Sequence, residues 1–231
     1  MIFKKEQFLN EQPRVGNMRN YVRGFTDVLG DLITQSLGDK ENTRLVEFGV
    51  GGGGTHKDWC RYTTNTEIYG VELPKNHKDY AFGNNAWDKG FSCFQNERMN
   101  FIENDTRNFN SCAKALMNHT GNKKFNVIIE DSFTNMQTVG VDLQEFTKVY
   151  STILDEDGIM LTGGLQGYYS KQFSGQDFIE GWVVLDLISP TPETLIKYQN
   201  PHTYLWVYAN NYSLYKNILN KYTIVSGKEL L

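Results

Sequence analysis

The stretch RLVEFGVGGGGTHKD, residues 44–58, places four consecutive glycines directly after a run typical of a buried strand. Each glycine loses more backbone entropy on folding than another residue would, so the run is favoured where the chain turns tightly and something approaches its backbone. Gly49, Gly51 and Gly54 satisfy the pattern G-x-G-x-x-G, and Gly49, Gly51 and Gly53 equally satisfy G-x-G-x-G. The glycines indicate a nucleotide-like ligand without specifying which one, and the alternative is a tight turn that binds nothing.

Apolar runs typical of strands alternate with helical patterns along most of the chain. Residues 17–37 place apolar side chains at spacings of three and four, as in a helix that ends at Gly38. We expect Ser111 to cap a second helix that ends near Gly121, and residues 142–154 form a third apolar stripe. Strand-like runs occur at residues 43–49, 66–74, 99–104, 124–131, 159–164, 182–188 and 203–210.

This alternation predicts the fold class. Strands that alternate with helices form a parallel, right-handed, doubly wound sheet. The last two runs have no clear helix between them, so we expect an antiparallel C-terminal strand pair at one edge. The prediction is an α/β fold with a mostly parallel, seven-stranded sheet in a three-layer α/β/α arrangement. We expect one domain over residues 1–231, with an N-terminal helical segment at 1–40 and the doubly wound core at 41–231.

Composition narrows the class of protein. The net charge of −4 and the pI near 5.6 argue against a general nucleic-acid binder, which shows a basic surface. No run resembles a signal peptide or is long enough to cross a bilayer, so no membrane partner is expected. The three cysteines, Cys60, Cys93 and Cys112, are widely spaced without a C-x-x-C pair. Free thiols of this kind predict a cytoplasmic protein.

Acidic residues occur where ligands bind to a doubly wound sheet, beyond the carboxyl ends of the strands. Glu72 closes the second strand, 23 residues after Gly49, where a carboxylate can accept both hydroxyl protons of a ribose. Asp105 follows the third strand and is placed to accept the amino protons of an adenine; its alternative role is a helix N-cap. Glu47 precedes Gly49 by two residues, where a carboxylate would repel a pyrophosphate and suit a cationic ligand.

With these residues in this order, the chain resembles the class I S-adenosylmethionine-dependent methyltransferases. VEFGVGGGG matches the first motif of that family, Glu72 its ribose acid and Asn104–Asp105 its adenine position. VIIED matches the fourth-strand motif, LDEDGIMLTGG the turn into the fifth strand, and the terminal strand pair its seven-stranded, Rossmann-like sheet. The resemblance covers about residues 17–210.

The resemblance implies a role for each cofactor-binding residue. Glu47 and the backbone of Gly49, Gly51 and Gly53 would hold the amino acid portion of S-adenosylmethionine. Glu72 would hold the ribose, and Asp105 with the backbone of Thr106 would recognise the adenine.

The catalytic position implied by the resemblance lies at the end of the fourth strand. Asp131 is expected near the methyl group, as a base, an anchor for the acceptor or a metal ligand. Glu130 should point to the opposite face if the strand continues regularly. Paired acids here are similar to the metal-assisted O-methyltransferases of antibiotic-sugar biosynthesis, so a divalent metal such as magnesium is one expectation. Those relatives often continue with glycine, serine and histidine, whereas this chain reads EDSFTN.

The methyl acceptor is expected to be a small molecule, with a hydroxyl oxygen as the methylated atom. The fourth strand lacks a DPPY- or NPPY-like end, and no Pro-Cys pair occurs, so nucleic-acid bases are not supported. Aromatic residues that can wall an acceptor pocket, or alternatively pack under a loop, are Trp59, Tyr62, Trp87, Tyr168, Tyr169 and Phe173. His56 lies near the glycine turn, where it either faces a ligand or belongs to the first turn of the next helix.

Two alternatives to a methyltransferase remain open from the residues. A nicotinamide-dependent oxidoreductase would use the same glycines and Glu72, although Glu47 and the two late strands disfavour it. A non-catalytic binding module would keep the fold without turnover, since fold does not fix function. The N-terminal helix would either cover the active site or pack against another subunit in a homo-oligomer.

Overall fold

The computed structural model describes residues 3–11, 23–50, 54–73, 97–132, 139–162, 180–188 and 202–231. The helices of eight residues or more are α2 (Arg23–Leu37), α3 (Gly54–Tyr62), α4 (Phe109–Thr120) and α5 (Val139–Tyr150), and a shorter α1 spans Lys5–Glu11. The strands are β1 (Thr43–Phe48), β2 (Thr66–Glu72), β3 (Met99–Glu103), β4 (Phe125–Glu130), β5 (Leu154–Thr162), β6 (Val183–Ile188), β7 (His202–Ala209) and β8 (Thr223–Ser226). None of the helices described is long and apolar enough to span a bilayer.

The strands form one mixed sheet in the order β3-β2-β1-β4-β5-β7-β6-β8. The first five strands are mutually parallel, while β7 runs antiparallel to both β5 and β6. This confirms the predicted doubly wound sheet with an antiparallel C-terminal pair. An eighth strand, β8, extends the sheet beyond β6. Its short sequence TIVS carried no recognisable strand pattern among the neighbouring polar residues.

Two hydrophobic layers cover the faces of the sheet, as expected for a three-layer fold. Alternate residues of the strands point to opposite faces. On one face Leu45 and Ile129 pack with α1, α2 and α3, and on the other Val46 and Ile128 pack with α4 and α5. We refer to these as the α1–α3 face and the α4–α5 face.

Two boundaries differ from the sequence-based expectation, and a third agrees with it. β5 begins at Leu154, because Leu154 pairs with Phe125 and the strand then passes an irregularity before Ile159 pairs with Val127. The cap of α4 is Asn108 and not Ser111, since the Asn108 side chain accepts a hydrogen bond from the Ser111 amide. Gly121 ends α4 in a left-handed conformation, φ 63°, as predicted.

The N-terminal segment contributes to the core. Phe3 and Phe8 are buried, and the backbone amide of Lys4 donates to the carbonyl of Tyr62 at 2.7 Å. The side chains of Lys5 and Lys221 both contact the carboxylate of Asp31 on α2. Helix α1 therefore lies against α2 and the carboxyl end of α3.

Candidate functional site

The carboxyl ends of the central strands meet at one edge of the sheet. Backbone hydrogen bonds continue past the strands, from the Gly49 amide to the Val71 carbonyl and from the Asp131 amide to the Phe48 carbonyl, each 2.9 Å. On the outer side, the Asn104 amide donates to the Glu72 carbonyl at 2.9 Å. These bonds place the turns after β1, β2, β3 and β4 side by side, where ligands of doubly wound sheets bind. We call this the carboxyl edge.

Packing within the protein itself requires a glycine at position 49, the first residue of the glycine turn. Its φ of +83° lies in the left-handed region, and a Cβ there would sit 2.7 Å from the Asp131 carbonyl oxygen and 2.9 Å from the Ser132 Cα. Both neighbours are backbone atoms of the turn after β4. Close packing of the two turns is therefore sufficient to explain this glycine. Gly51 and Gly53 lie outside the described residues.

Glu47 and Glu72 share the α1–α3 face of the sheet. Leu45 pairs with Ile68, which sets the register, so Glu47 pairs with Gly70 and Glu72 lies two residues further along. The Glu47 side chain is buried, with 1% of its surface exposed, whereas Glu72 is half-buried and accepts a hydrogen bond from the Leu73 amide at 2.8 Å. Two of the predicted acids therefore lie on one face beside the glycine turn.

Asp105 lies in the turn between β3 and α4, and its carboxylate is held by Arg107. The guanidinium donates to both carboxylate oxygens at 2.8 Å, and the Arg107 amide donates to Oδ1 at 3.0 Å. Asp105 is not the helix cap, because Asn108 takes that role. The neighbouring Thr106 is buried, with 7% of its surface exposed.

The two acids at the end of β4 differ in environment. Glu130 is 1% exposed and lies on the α4–α5 face; its Oε1 accepts from the Ser132 amide and hydroxyl at 2.6 and 2.7 Å. Its Oε2 accepts from the Thr162 hydroxyl at 3.3 Å. Asp131 follows the strand and is only half-buried, although its Oδ1 is shielded from solvent. Asp131 is therefore the acid of the pair nearer to the carboxyl edge.

The arrangement does not support the metal considered from the sequence. Both carboxylate oxygens of Glu130 are taken by protein donors, which leaves this side chain poorly suited to join Asp131 around a cation. No group of three His, Cys, Asp or Glu side chains suited to a metal occurs within the described ranges. A divalent cation bound in protein takes several such ligands.

Two of the six aromatic residues considered for an acceptor pocket belong to the core. Trp59 and Tyr62 are 0% and 1% exposed and pack against Phe8, with ring centroids 6.2 and 5.4 Å away. They therefore belong to the hydrophobic core of the α1–α3 face and stabilise the docking of α1. Trp87, Tyr168, Tyr169 and Phe173 lie outside the described residues. His56 lies in the first turn of α3.

Two buried titratable side chains, Cys112 and Tyr150, lie in the hydrophobic layer of the α4–α5 face. The thiol of Cys112 donates to the Asp105 carbonyl at 3.3 Å, and burial raises its pKa to about 11. Burial also raises the pKa of Tyr150, assisted by the nearby Cys112 and Glu130. Both groups are therefore protonated at neutral pH, and Cys112 is unsuited to act as a nucleophile.

A cavity of about 350 Å³ lies at the opposite, amino-terminal edge of the sheet. It is lined by Lys40, Glu41, Asn42, Arg44, Lys123, Lys124, Asn126 and Asp155. Two of its cations are paired with carboxylates, Lys40 with Asp157 at 3.1 Å and Arg44 with Glu67 at 2.8 Å. The position of ligands in this fold class and the pairing of these charges both favour the carboxyl edge as the functional site.

Comparison with known proteins identifies the fold. No family model and no curated protein matches the sequence. Spermidine synthase from Thermotoga maritima superimposes with a TM-score of 0.50 at 16% identity, covering 77% of this chain and 57% of that one. A spermidine synthase bound to a transition-state analogue, AdoDATO, gives 0.48 at 17% identity over 77% and 56% of the two chains.

The methyltransferase MycE of mycinamycin biosynthesis, in complex with Mg, SAH and mycinamycin VI, gives a TM-score of 0.43 at 17% identity over 64% and 35% of the two chains. This chain thus spans about half, or less, of the length of these proteins. The fold assignment rests on the first comparison together with the strand order. The chain has the Rossmann-like fold of the class I S-adenosylmethionine-dependent methyltransferases, which the spermidine synthase shares.

Proposed function

We propose that this protein transfers a methyl group from S-adenosylmethionine to a hydroxyl oxygen of a small-molecule acceptor. The observation that carries the proposal is the pair of acids, Glu47 and Glu72, on one face beside the glycine turn of this fold. The resemblance to the family implies that these two residues hold the cofactor.

The charge of the carboxyl edge suits a cationic cofactor. Glu47 lies near the end of β1, Glu72 is the last residue of β2, and Asp131 directly follows β4, so three carboxylates lie near this edge. S-adenosylmethionine carries positive charge on its sulfonium and ammonium groups, which carboxylates attract in a partly buried site. Glu47, beside the glycine turn, would repel the pyrophosphate of a dinucleotide.

The sheet order also favours this proposal over a nicotinamide-dependent oxidoreductase. The usual dinucleotide-binding sheet has six strands in the order 3-2-1-4-5-6. Here the strand next to β5 is β7, which runs antiparallel to it. A non-catalytic binding module would retain the same sheet. A measurement of methyl transfer distinguishes it from an enzyme.

Each residue has a defined role in the proposed complex. Glu72 accepts the hydroxyl protons of the ribose, and Glu47 attracts the ammonium end together with the backbone of Gly51 and Gly53. Asp105 with the backbone of Thr106 recognises the amino group of adenine, as the resemblance to the family implies.

The cofactor, when bound, supplies a methyl carbon activated by its sulfonium. The protein must hold the acceptor oxygen in line with that carbon and receive or anchor the hydroxyl proton. Asp131 is the residue that we assign to this task, because it follows β4 at the carboxyl edge and one of its carboxylate oxygens is shielded from solvent. Shielding strengthens the interaction of a carboxylate with a proton donor.

Calorimetric titration tests the proposal. We expect S-adenosylmethionine and S-adenosylhomocysteine to bind with dissociation constants in the micromolar range, about −8 kcal/mol, and NAD and NADP not to bind. Glu72→Ala should abolish binding. Glu156→Ala is the matched control, since it removes an exposed glutamate from the amino-terminal part of β5.

The outcomes separate the alternatives. Binding of NAD in place of the sulfur ligands would overturn the proposal and make Glu72 a dinucleotide ligand. If the sulfur ligands bind, a screen of hydroxylated small molecules by mass spectrometry should detect a gain of one methyl group. Because the structural neighbours include spermidine synthases, a parallel incubation should supply putrescine and decarboxylated S-adenosylmethionine, from which transfer of an aminopropyl group forms spermidine. Formation of spermidine alone would contradict methyl transfer.

A further inference from the structure

We propose that Glu130 is a positioning residue whose carboxylate holds the turn after β4 against the glycine turn after β1. Cofactor affinity would then depend on a side chain that faces away from the cofactor site. The inference rests on the proposed function for its effect on binding, but its structural part stands independently. It assigns to Glu130 a role different from the metal ligation considered from the sequence.

The first observation is the environment of the Glu130 carboxylate. A charge buried to 1% exposure is strongly unfavourable unless several hydrogen bonds satisfy it. Here two donors come from Ser132 and a third from Thr162 on β5. Bonds from neutral donors to a charged acceptor are stronger than those between neutral groups. The carboxylate therefore fixes the position of Ser132 relative to both β4 and β5.

The second observation is where Ser132 lies. Its Cα and the Asp131 carbonyl occupy the space where a side chain of Gly49 would otherwise project, at 2.9 and 2.7 Å. The Asp131 amide also donates to the Phe48 carbonyl, directly before Gly49. A displacement of Ser132 would therefore release the packing constraint on Gly49 and alter the entry into the glycine turn.

These contacts form a continuous path from Glu130 through Ser132 to Gly49. The path crosses from the α4–α5 face of the sheet to the turn that the proposed cofactor uses. It also includes Asp131, which lies between Glu130 and Ser132 in the chain. One buried carboxylate thus orients both the cofactor turn and the proposed catalytic acid.

Two substitutions at Glu130 distinguish positioning from a requirement for charge. Glu130→Gln keeps an oxygen that accepts from Ser132, and its amide can donate to the Thr162 hydroxyl. Glu130→Ala leaves all three donors without their acceptor. The matched controls are Ile128→Val and Ile128→Ala, in the same strand, on the same face and fully buried. Ile128→Val is expected to lower the stability slightly and Ile128→Ala strongly, and both leave the hydrogen bonds of Ser132 in place.

S-adenosylhomocysteine binding is measured by calorimetry on all five proteins, together with their thermal midpoints. We expect Glu130→Ala to weaken binding about tenfold or more, which corresponds to the loss of one or two such hydrogen bonds. The dissociation constant of Glu130→Gln should stay within about threefold of that of the unsubstituted protein. The same is expected of the Ile128 variant whose thermal midpoint equals that of Glu130→Ala. Equal weakening in that Ile128 variant, or unchanged binding in Glu130→Ala, would overturn the proposal.

Amide hydrogen exchange tests the structural part without any ligand. Glu130→Ala should accelerate exchange at the amides of Gly49 and Asp131 about tenfold more than the matched Ile128 variant does. If Glu130→Ala does not fold, Ser132→Ala removes one of the three bonds and should accelerate the same two amides. If the unsubstituted protein binds neither sulfur ligand, the proposed function fails, while exchange still decides the positioning role. Unchanged exchange at both amides would contradict it.

Discussion

Substitution of Gly49 by alanine is the most direct test of the close approach between the turns after β1 and β4. Gly49 has a φ of +83°, and the added Cβ would meet three backbone atoms of Asp131 and Ser132 at 2.7 to 2.9 Å. Backbone atoms held by a strand cannot move aside as the end of a flexible side chain can. The variant therefore combines an unfavourable backbone conformation with a steric clash.

Each of the two contributions to the loss of stability has an expected magnitude, and a control variant separates them. The left-handed conformation costs a residue with a Cβ about 1–2 kcal/mol. Overpacking in a close-packed interior adds about 1–3 kcal/mol. We therefore expect Gly49→Ala to lower the free energy of unfolding by about 2–5 kcal/mol. Gly121→Ala is the control for the first contribution, because Gly121 has a φ of +63° and no atom within 4 Å of its added Cβ.

Urea denaturation of the two variants and the parent protein gives the comparison. In Gly121→Ala the free energy of unfolding should fall only by the backbone contribution. In Gly49→Ala it should fall by at least about 1 kcal/mol more. An equal loss in the two variants would refute the close approach. The glycine would then have to be explained by a ligand at the turn.

Two further predictions concern the core. Phe8→Ala should lower the free energy of unfolding by about 3–5 kcal/mol in urea titration, because the ring is fully buried against Trp59 and Tyr62; a loss below about 1 kcal/mol would show that α1 is not docked. Raising the pH from 9 to 11 should also lower the free energy of unfolding. Burial raises the pKa of Cys112 from 9.0 to about 11. In this pH range the thiol is therefore ionised in the unfolded chain and still protonated in the folded protein, which favours the unfolded chain. Urea midpoints across this range should fall less steeply in Cys112→Ala, and parallel slopes would contradict the assignment.

The main elements of the fold could be predicted because their signals are local. The run KFNVIIED reads as a strand covered on both faces, and β4 lies there as Phe125–Glu130. The end of α4 was also predicted from a local signal, the single glycine Gly121. The start of β5 was not, because Leu154 is in the strand by virtue of its pairing with Phe125 across the sheet. β8 was missed for the same reason, since it is short and half-exposed and is defined by its pairing with β6.

The candidate site divides in a similar way. The positions of Glu47, Glu72 and Asp131 near strand ends follow from the sequence, because the carboxyl ends of parallel strands share an edge. The pairing of Asp105 with Arg107 and the burial of Trp59 were not predicted, since each side chain had another plausible environment.

The sequence by itself determined the alternation of strands and helices, the parallel sheet and the edge at which acids and glycines gather. These depend on hydrophobic periodicity and on turn residues, which act over a few neighbours. Tertiary structure decided which donors satisfy the Glu130 carboxylate, and it showed that Gly49 adjoins the Asp131–Ser132 backbone. The contact of Gly49 joins residues about 80 positions apart in the chain, so only the packed sheet specifies it.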